Sequence, residues 1–477
     1  MRQAMPGWEN LGDAHFYASS GEHWAEHGEN RWNEIYPIAL NSERGMTMAF
    51  PAPAYPIVIS WWVRLGLSPP MATLLSSGLA LMGTLCLFYF WALKHGHSII
   101  SIWAIGLCPL FFGKSIELAL SGGSDSLGQF GLVCSLLLLL AHDQKRLNRS
   151  RLLLLFSSAI LALIRPHNQI LLLLLGPTLL LMEWRGARWL ALVQWALAMS
   201  FWKLIQISLI SGGEVTFPYS FSFLVSTPSY PDHSLFRHYF SEGFSLPLLL
   251  EHLQDLQAKA LKGWGLIKMY WSGWFPQVVI LGTSFFLSKK KFPILLVSAL
   301  LGASLFLSAS GHLVPRYWTI LIPMSLLMTL AAIRKENFLM GKAGICCLFL
   351  VLIVSDQGPG RDLLFSPLPK RELNLPPFPN KWVDELKSST LVSCDHPSKA
   401  IDALGRPLLL LPQNPTQLRK IEADHGAIQH LLLSPDFRSG ELTHWEQHFS
   451  FLEEEGFKIS LAEGWTLFTR SSKDGTL

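Results

Sequence analysis

Between Ala72 and Ser355 the chain is a succession of apolar stretches with little charge inside them, and this decides more about its fold than any motif. The stretches are Ala72–Leu93, Ser98–Leu118, Ser126–Ala141, Leu152–Ile164, Gln169–Met182, Ala187–Ile210, Phe275–Leu287, Phe292–Ala309, Leu313–Ile333 and Gly341–Ser355. A helix perpendicular to the bilayer needs roughly 20 residues to cross it, so several are short. Leu152–Ile164 and Gln169–Met182 read as two short helices meeting at the polar turn Arg165-Pro166-His167-Asn168. Only 15% of the residues are charged, against about a quarter in soluble domains. The fold class expected is a mainly α, polytopic membrane bundle of about ten spans.

Orientation follows from lysine and arginine in the short loops. Basic residues gather in Lys94 to His97, in Lys145 to Arg151, in Arg185 to Arg188, in Lys289-Lys290-Lys291 and in Arg334 to Lys342. With the spans above, all of these loops share one side, which the rule assigns to the cytoplasm. The other side receives Met1–Phe50, the Glu117–Asp125 loop, the Arg165–Asn168 turn, Ser211–Trp274, Gly311–Arg316 and the tail. Ala52–Leu67 is apolar but holds Pro53, Pro56 and Arg64, and reads as an interfacial or re-entrant helix. Were it a true span, Met1–Phe50 would be cytoplasmic instead.

The organisation expected is an extracytoplasmic first loop with interfacial helices over 1–71, a helical membrane domain over 72–355, a Pro-rich linker over 356–380 and a small extracytoplasmic domain over 381–477. In the tail, Thr390–Ser393, Leu408–Leu411, His430–Leu433 and Trp465–Phe468 are short apolar runs. They alternate with helix-like Lys381–Lys387 and Glu441–Gly456, which suggests an α/β unit. Cys86, Cys108, Cys134, Cys346 and Cys347 lie in apolar runs and Cys394 stands alone in the tail, so neither a disulfide framework nor a zinc site is indicated. No signal-peptide core stands in Met1–Phe50, and insertion is expected to rely on a transmembrane helix. The net charge of +4 matters through its placement, and the bilayer rather than nucleic acid is the expected partner.

A chain this apolar has few places for water-facing chemistry. The external side gathers Asp13, Glu22 and Asp125 with Arg165 and Arg316. Ionisable groups at membrane depth are costly and tend to be functional. Guanidinium forks bind phosphate oxygens with charge-assisted, often bidentate hydrogen bonds, and a carboxylate nearby can take a proton as general base. Each residue also has a plainer reading. Asp13 and Asp125 suit helix caps, and the arginines suit snorkelling to the interface. His23 and His27 share a helix face with Glu22 and Glu26 beside them, which fits a solvated amphipathic helix better than a metal pair. Trp24, Trp32, Trp271 and Trp274 fit an interfacial belt at least as well as a sugar platform.

Gly12-Asp13-Ala14-His15-Phe16-Tyr17-Ala18, Gly28 and Phe50-Pro51-Ala52-Pro53-Ala54-Tyr55-Pro56 resemble the first loop of the GT-C glycosyltransferases that use polyprenyl-phosphate sugars. That family includes the protein O-mannosyltransferases (glycosyltransferase family 39) and the aminoarabinose transferases. Gly123-Ser124-Asp125-Ser126 resembles the family's second acidic site, and Leu163-Ile164-Arg165-Pro166 and Pro315-Arg316-Tyr317 two further elements. Members have a span ahead of the acidic loop, whereas this sequence opens on the loop.

The resemblance implies an inverting transferase of the cell membrane with Asp13 as catalytic carboxylate, Asp125 as a second acidic site, and Arg165 and Arg316 binding the donor phosphate. His15, Tyr17, Tyr55 and Tyr317 become candidate substrate or metal contacts, and a divalent metal ion is an optional aid in this chemistry. The donor implied is a polyprenyl-phosphate-linked sugar. The acceptor is a lipid, a polysaccharide or a protein. Two other functions remain open on the sequence: a transporter or flippase for lipid-linked glycans, and a non-catalytic partner in envelope glycan assembly.

Overall fold

The computed structural model describes residues 14–28, 34–35, 53–95, 119, 122–145, 148–210, 264–265, 267, 271–287, 291–309, 320–332, 378–389, 391–395, 400, 403–406, 408–412, 415–435 and 449–470. The expected spans Ser98–Leu118 and Gly341–Ser355 lie outside these residues. Helix α1, Ala14–His27, ends at Gly28, whose φ of 72° and N–H bond to Trp24 O (3.0 Å) form the left-handed stop that glycine adopts without strain. After strand β1, Glu34–Ile35, helix α2 spans Ala54–Arg64. It buries Tyr55, Pro56, Ile59 and Ser60 on one face and exposes Trp61.

Helices α1 and α2 are packed with no room to spare. A Cβ on Gly21 would stand 2.4 Å from Ile59 Cγ2. Helix α3, Pro69–Lys94, starts behind an extended Ser68 with prolines in its first positions, where their fixed φ suits a helix and the missing N–H costs nothing. There follow α4 (Asp125–Lys145), α5 (Asn148–Leu161), α6 (Pro166–Met182), a 3₁₀ turn at Arg185–Ala187, α7 (Arg188–Ile210), α8 (Trp271–Leu287), α9 (Lys291–Ala309) and α10 (Ile322–Ala332). Leu132, Leu136, Leu155, Leu172, Val297 and Leu327 meet in one buried core. Leu79, Phe90, Leu153, Leu197 and Phe286 face outward, an arrangement that suits lipid. Among the described helices, three are long and apolar enough to cross a membrane: Pro69–Lys94, Asp125–His142 and Arg185–Leu209.

The two short helices expected around Arg165 are α5 and α6, joined by a turn in which Asn168 N–H bonds back to Arg165 O. At the far end of α4 lies a buried polar cluster. His142 Nε2 and Arg151 Nη1 stand 3.0 and 2.6 Å from Glu183 Oε1, Arg151 also donates to Gln194 and Asn148, and His142 Nδ1 meets Ser150 Oγ. Arg151 falls in a basic stretch read from the sequence as a cytoplasmic topology signal, yet it is 1% exposed. It ties α5 to the end of α6 through Glu183 and to α7 through Gln194.

The C-terminal α/β unit holds a sheet ordered β1-β3-β2-β4-β6-β5, with β2 at Val392–Cys394, β3 at Leu408–Leu410, β4 at His430–Leu433, β5 at Phe457–Ala462 and β6 at Trp465–Arg470. The first four strands are parallel, and β6 and β5 form an antiparallel hairpin. Glu463 and Gly464 turn it with φ of 51° and 81°, the paired positive values of a type I′ turn. Both faces are covered: Leu409, Leu431 and Phe468 point to one core, and Val392, Leu432 and Trp465 to the other. Helices α11 (Val383–Ser388), α12 (Pro415–His425) and α13 (Phe449–Glu454) accompany it. Strand β5 and helix α12 were not anticipated from the sequence. Nor was β1, which comes from the first loop and pairs Glu34 with Leu408 and Ile35 with Leu409.

Candidate functional site

Helix α4 begins just after Gly122, which lets the chain press against α3. Gly122 has a φ of 69°, and a Cβ there would lie 2.8 Å from Thr73 Oγ1. The loop is held by two hydroxyls. Ser77 Oγ donates to Gly123 O at 2.7 Å. Tyr55 OH lies 2.7 Å from Gly122 O, 2.9 Å from Ser77 Oγ and 3.1 Å from Thr73 O, and gives its one proton to the nearest, Gly122 O. Burial drives the Tyr55 phenol far above its ordinary pKa, so it stays a donor. Of the candidate contacts from the sequence, Tyr55 thus holds the loop.

Helix α6 begins with Pro166 behind Arg165, whose extended backbone (φ −155°, ψ 154°) turns its side chain toward α4. Gly128 makes this approach possible: a Cβ there would stand 3.0 Å from Arg165 Cδ. The Arg165 guanidinium reaches Asp125 Oδ1 with Nη2 at 2.7 Å, a contact that is ionic rather than an aligned hydrogen bond. Its Nη1 donates to Ser124 Oγ at 2.6 Å. Ser124 in turn donates to the Tyr17 hydroxyl at 2.9 Å, and the Tyr17 ring meets Tyr55 edge-on with centroids 5.0 Å apart. Asp125 and Arg165 are 2% and 4% exposed, so Arg165 is not snorkelling to water.

The site therefore joins two helix N-termini, an arginine, a carboxylate and the first loop. Helix N-termini carry partial positive charge and point N–H groups outward. Together with a guanidinium they suit an anion of the phosphate kind, and Asp125 offsets part of the arginine's charge. Nearby, Ser126 Oγ, Gln129 Nε2 and Asn168 Oδ1 are buried polar atoms with no hydrogen-bond partner among the described residues. Among the described residues no group of three or more His, Cys, Asp or Glu side chains converges, and those residues alone do not build a metal site.

Of the residues singled out in the sequence, Tyr17, Tyr55, Asp125 and Arg165 are brought together. Asp13, Arg316 and Tyr317 lie outside the described residues, as does the side chain of His15. In the sequence Ser124 stands out only as part of Gly123-Ser124-Asp125-Ser126. Its bridging role depends on Tyr17, 107 positions away, and no local signal announces it. His23 and His27 stack with ring centroids 4.4 Å apart, and the His27 side chain is open to solvent, in keeping with an amphipathic helix.

The described residues thus form an apolar helical bundle with a buried ionic centre, together with an α/β sheet unit. Among solved structures, ArnT of Cupriavidus metallidurans, bound to undecaprenyl phosphate, aligns over 98% of this chain and 96% of its own with a TM-score of 0.51 and 12% sequence identity. The archaeal oligosaccharyltransferase AglB of Archaeoglobus fulgidus, in complex with an inhibitory peptide and a dolichol-phosphate, aligns over 97% of this chain and 71% of its own, with a TM-score of 0.47 and 11% identity. The chain thus resembles the GT-C polyprenyl-phosphate-dependent glycosyltransferases, and at these identities the likeness is one of fold. No protein-family model matches the sequence, and a comparison of the sequence with curated proteins found no match.

Proposed function

We propose that the protein is an integral-membrane inverting glycosyltransferase that moves a sugar from a polyprenyl-phosphate donor to an acceptor hydroxyl on the extracytoplasmic face. The observation that carries this reading is Arg165, fixed by Asp125 and Ser124 where the N-termini of α4 and α6 meet. Two sources of positive potential converge there, beside a loop whose sequence holds the acidic candidate. The fold likeness to an ArnT solved with undecaprenyl phosphate adds support.

In the mechanism, Asp13 takes the proton of the acceptor hydroxyl. The oxygen attacks the anomeric carbon from the face opposite the phosphate, and the carbon–oxygen bond to the lipid phosphate breaks. Arg165, with Arg316 as its partner in this reading, holds the departing phosphate, whose negative charge grows as the bond opens. Tyr17 follows Asp13 by four residues and touches Ser124, which keeps the start of α1 beside the arginine. Asp13→Asn retains the shape and removes the base. Loss of sugar transfer by a normally folded Asp13→Asn variant is the expected result, and undiminished transfer overturns the assignment.

A further inference from the structure

Asp125 Oδ1 lies 2.7 Å from Arg165 Nη2, and both side chains are buried. A phosphate that binds this arginine therefore meets a guanidinium already facing an anion. Two anions beside one cation repel each other strongly where little water screens them, so the carboxylate must move or the phosphate is held weakly. Helix α4 offers the carboxylate another place. Gln129 stands four residues along, one turn further on the same face, and helical side chains lean toward the N-terminus. Its Nε2 has no hydrogen-bond partner among the described residues, nor has Ser126 Oγ, and the two residues are 3% and 1% exposed. Buried donors without an acceptor are costly, and two of them within a turn of one carboxylate mark a place for it. Asp125 also belongs to the first turn of α4, whose positive end favours an anion whether or not Arg165 faces it.

We propose that Asp125 is an internal competitor of the lipid phosphate for Arg165, and that the phosphate binds by displacing it toward Gln129 and Ser126. The proposal rests on the reading of Arg165 as the donor-phosphate ligand. Asp125 and Gln129 act through that arginine and are positioning residues. Between turnovers the carboxylate keeps the buried guanidinium paired. When the donor arrives, Arg165 exchanges one anion for another, and the carboxylate accepts from the Gln129 amide. Sugar transfer turns a singly charged phosphodiester into a monoester of about −1.5 to −2 at neutral pH. Arg165 alone would hold that product more tightly than it held the donor. Asp125 repels the product more strongly than the donor, and its return to Arg165 releases the lipid phosphate.

The test uses the full-length protein in detergent and titrates two probes, undecaprenyl phosphate and its singly charged methyl ester. The variants are Asp125→Asn, Gln129→Leu, the two combined, and Arg165→Gln. Asp125→Asn keeps the shape and removes the competing charge. It is expected to tighten undecaprenyl phosphate about ten- to hundredfold, the span of an ordinary coupling between two sites, and the methyl ester by less. Gln129→Leu removes the alternative partner of the carboxylate and is expected to weaken both probes roughly three- to tenfold, the range of one net hydrogen bond. In the Asp125→Asn background Gln129→Leu is expected to change binding little, because both act through one carboxylate. Arg165→Gln is expected to abolish binding.

A carboxylate that only braces Arg165 predicts the opposite sign, since its removal loosens the guanidinium and weakens binding. Weaker or unchanged binding by folded Asp125→Asn therefore overturns the proposal, while loss of binding in Arg165→Gln alone leaves the phosphate reading standing. Should Asp125→Asn not be recovered folded, Gln129→Leu decides, and binding as tight as that of the wild type overturns the proposal. Should neither the wild type nor Asp125→Asn bind either probe, the phosphate reading fails and the proposal falls with it.

Discussion

Arg165 and Asp125 face each other across the starts of two helices, 2.7 Å apart and almost wholly out of water. Burying two charges is costly, and their attraction repays it only in good geometry. Here Ser124 supplies the extra hydrogen bond and Gly128 the space.

Removing one partner of this pair leaves the other charged and unpaired. Arg165→Met is expected to lower stability by about 3–5 kcal/mol, read from denaturant or thermal unfolding in detergent. Arg165→Met combined with Asp125→Leu should recover most of that stability, because the two charges leave together. Binding of undecaprenyl phosphate should stay lost in the double variant. Recovery of binding along with stability would show that the arginine serves the fold alone.

Glu183 at the opposite end of α4 is the shared acceptor of His142 and Arg151. Glu183→Gln keeps the shape and strands the Arg151 charge, with an expected cost of about 3–5 kcal/mol. The cluster lies about 25 Å from Asp125 along α4, at 1.5 Å per residue. The folded fraction of the Glu183→Gln variant should therefore bind lipid phosphate as the unaltered chain does. Titration of the probe against folded protein measures this.

Gly21→Ala places a methyl against Ile59. Overpacking of this kind costs roughly 1–3 kcal/mol, and here it separates α1 from α2. Faster amide exchange in α1 and weaker lipid-phosphate binding are the expected results.

His430 of β4 titrates below its ordinary range because burial disfavours the imidazolium, while Glu385 pulls less strongly the other way. In the unfolded chain the residue protonates near its ordinary value of about 6.5. Above that pH neither state carries the proton and the residue is neutral toward stability. As the pH falls through about 6.5 toward the lower folded value, the unfolded state binds the proton first and stability declines. The protection of amides in β4 and β6, taken relative to their intrinsic exchange at each pH, should fall between pH 7.5 and 5.5. His430→Gln should flatten that dependence.

Several elements were legible in the sequence because their signals are local. The Arg165-Pro166 turn announced itself by a proline at a helix start, and α2 by a short apolar run broken with prolines and an arginine. Strand β4 was readable as an apolar run between polar neighbours. The remainder depends on partners distant in the chain. Glu34-Ile35 carries no strand signal, and becomes β1 only because Leu408 and Leu409 offer an edge. Arg151 looked like a solvated loop charge, and what buries it is Glu183 and Gln194 from other helices. Asp125 and Arg165 were each marked as candidates, while the serine that binds one to the first loop was legible only in three dimensions.

The two ionic clusters at opposite ends of α4 to α6 have one more consequence. Sliding α4 past α6 by one turn would part both clusters at once and leave buried charges unpaired. Tied at two levels about 25 Å apart, these helices have a single register against one another.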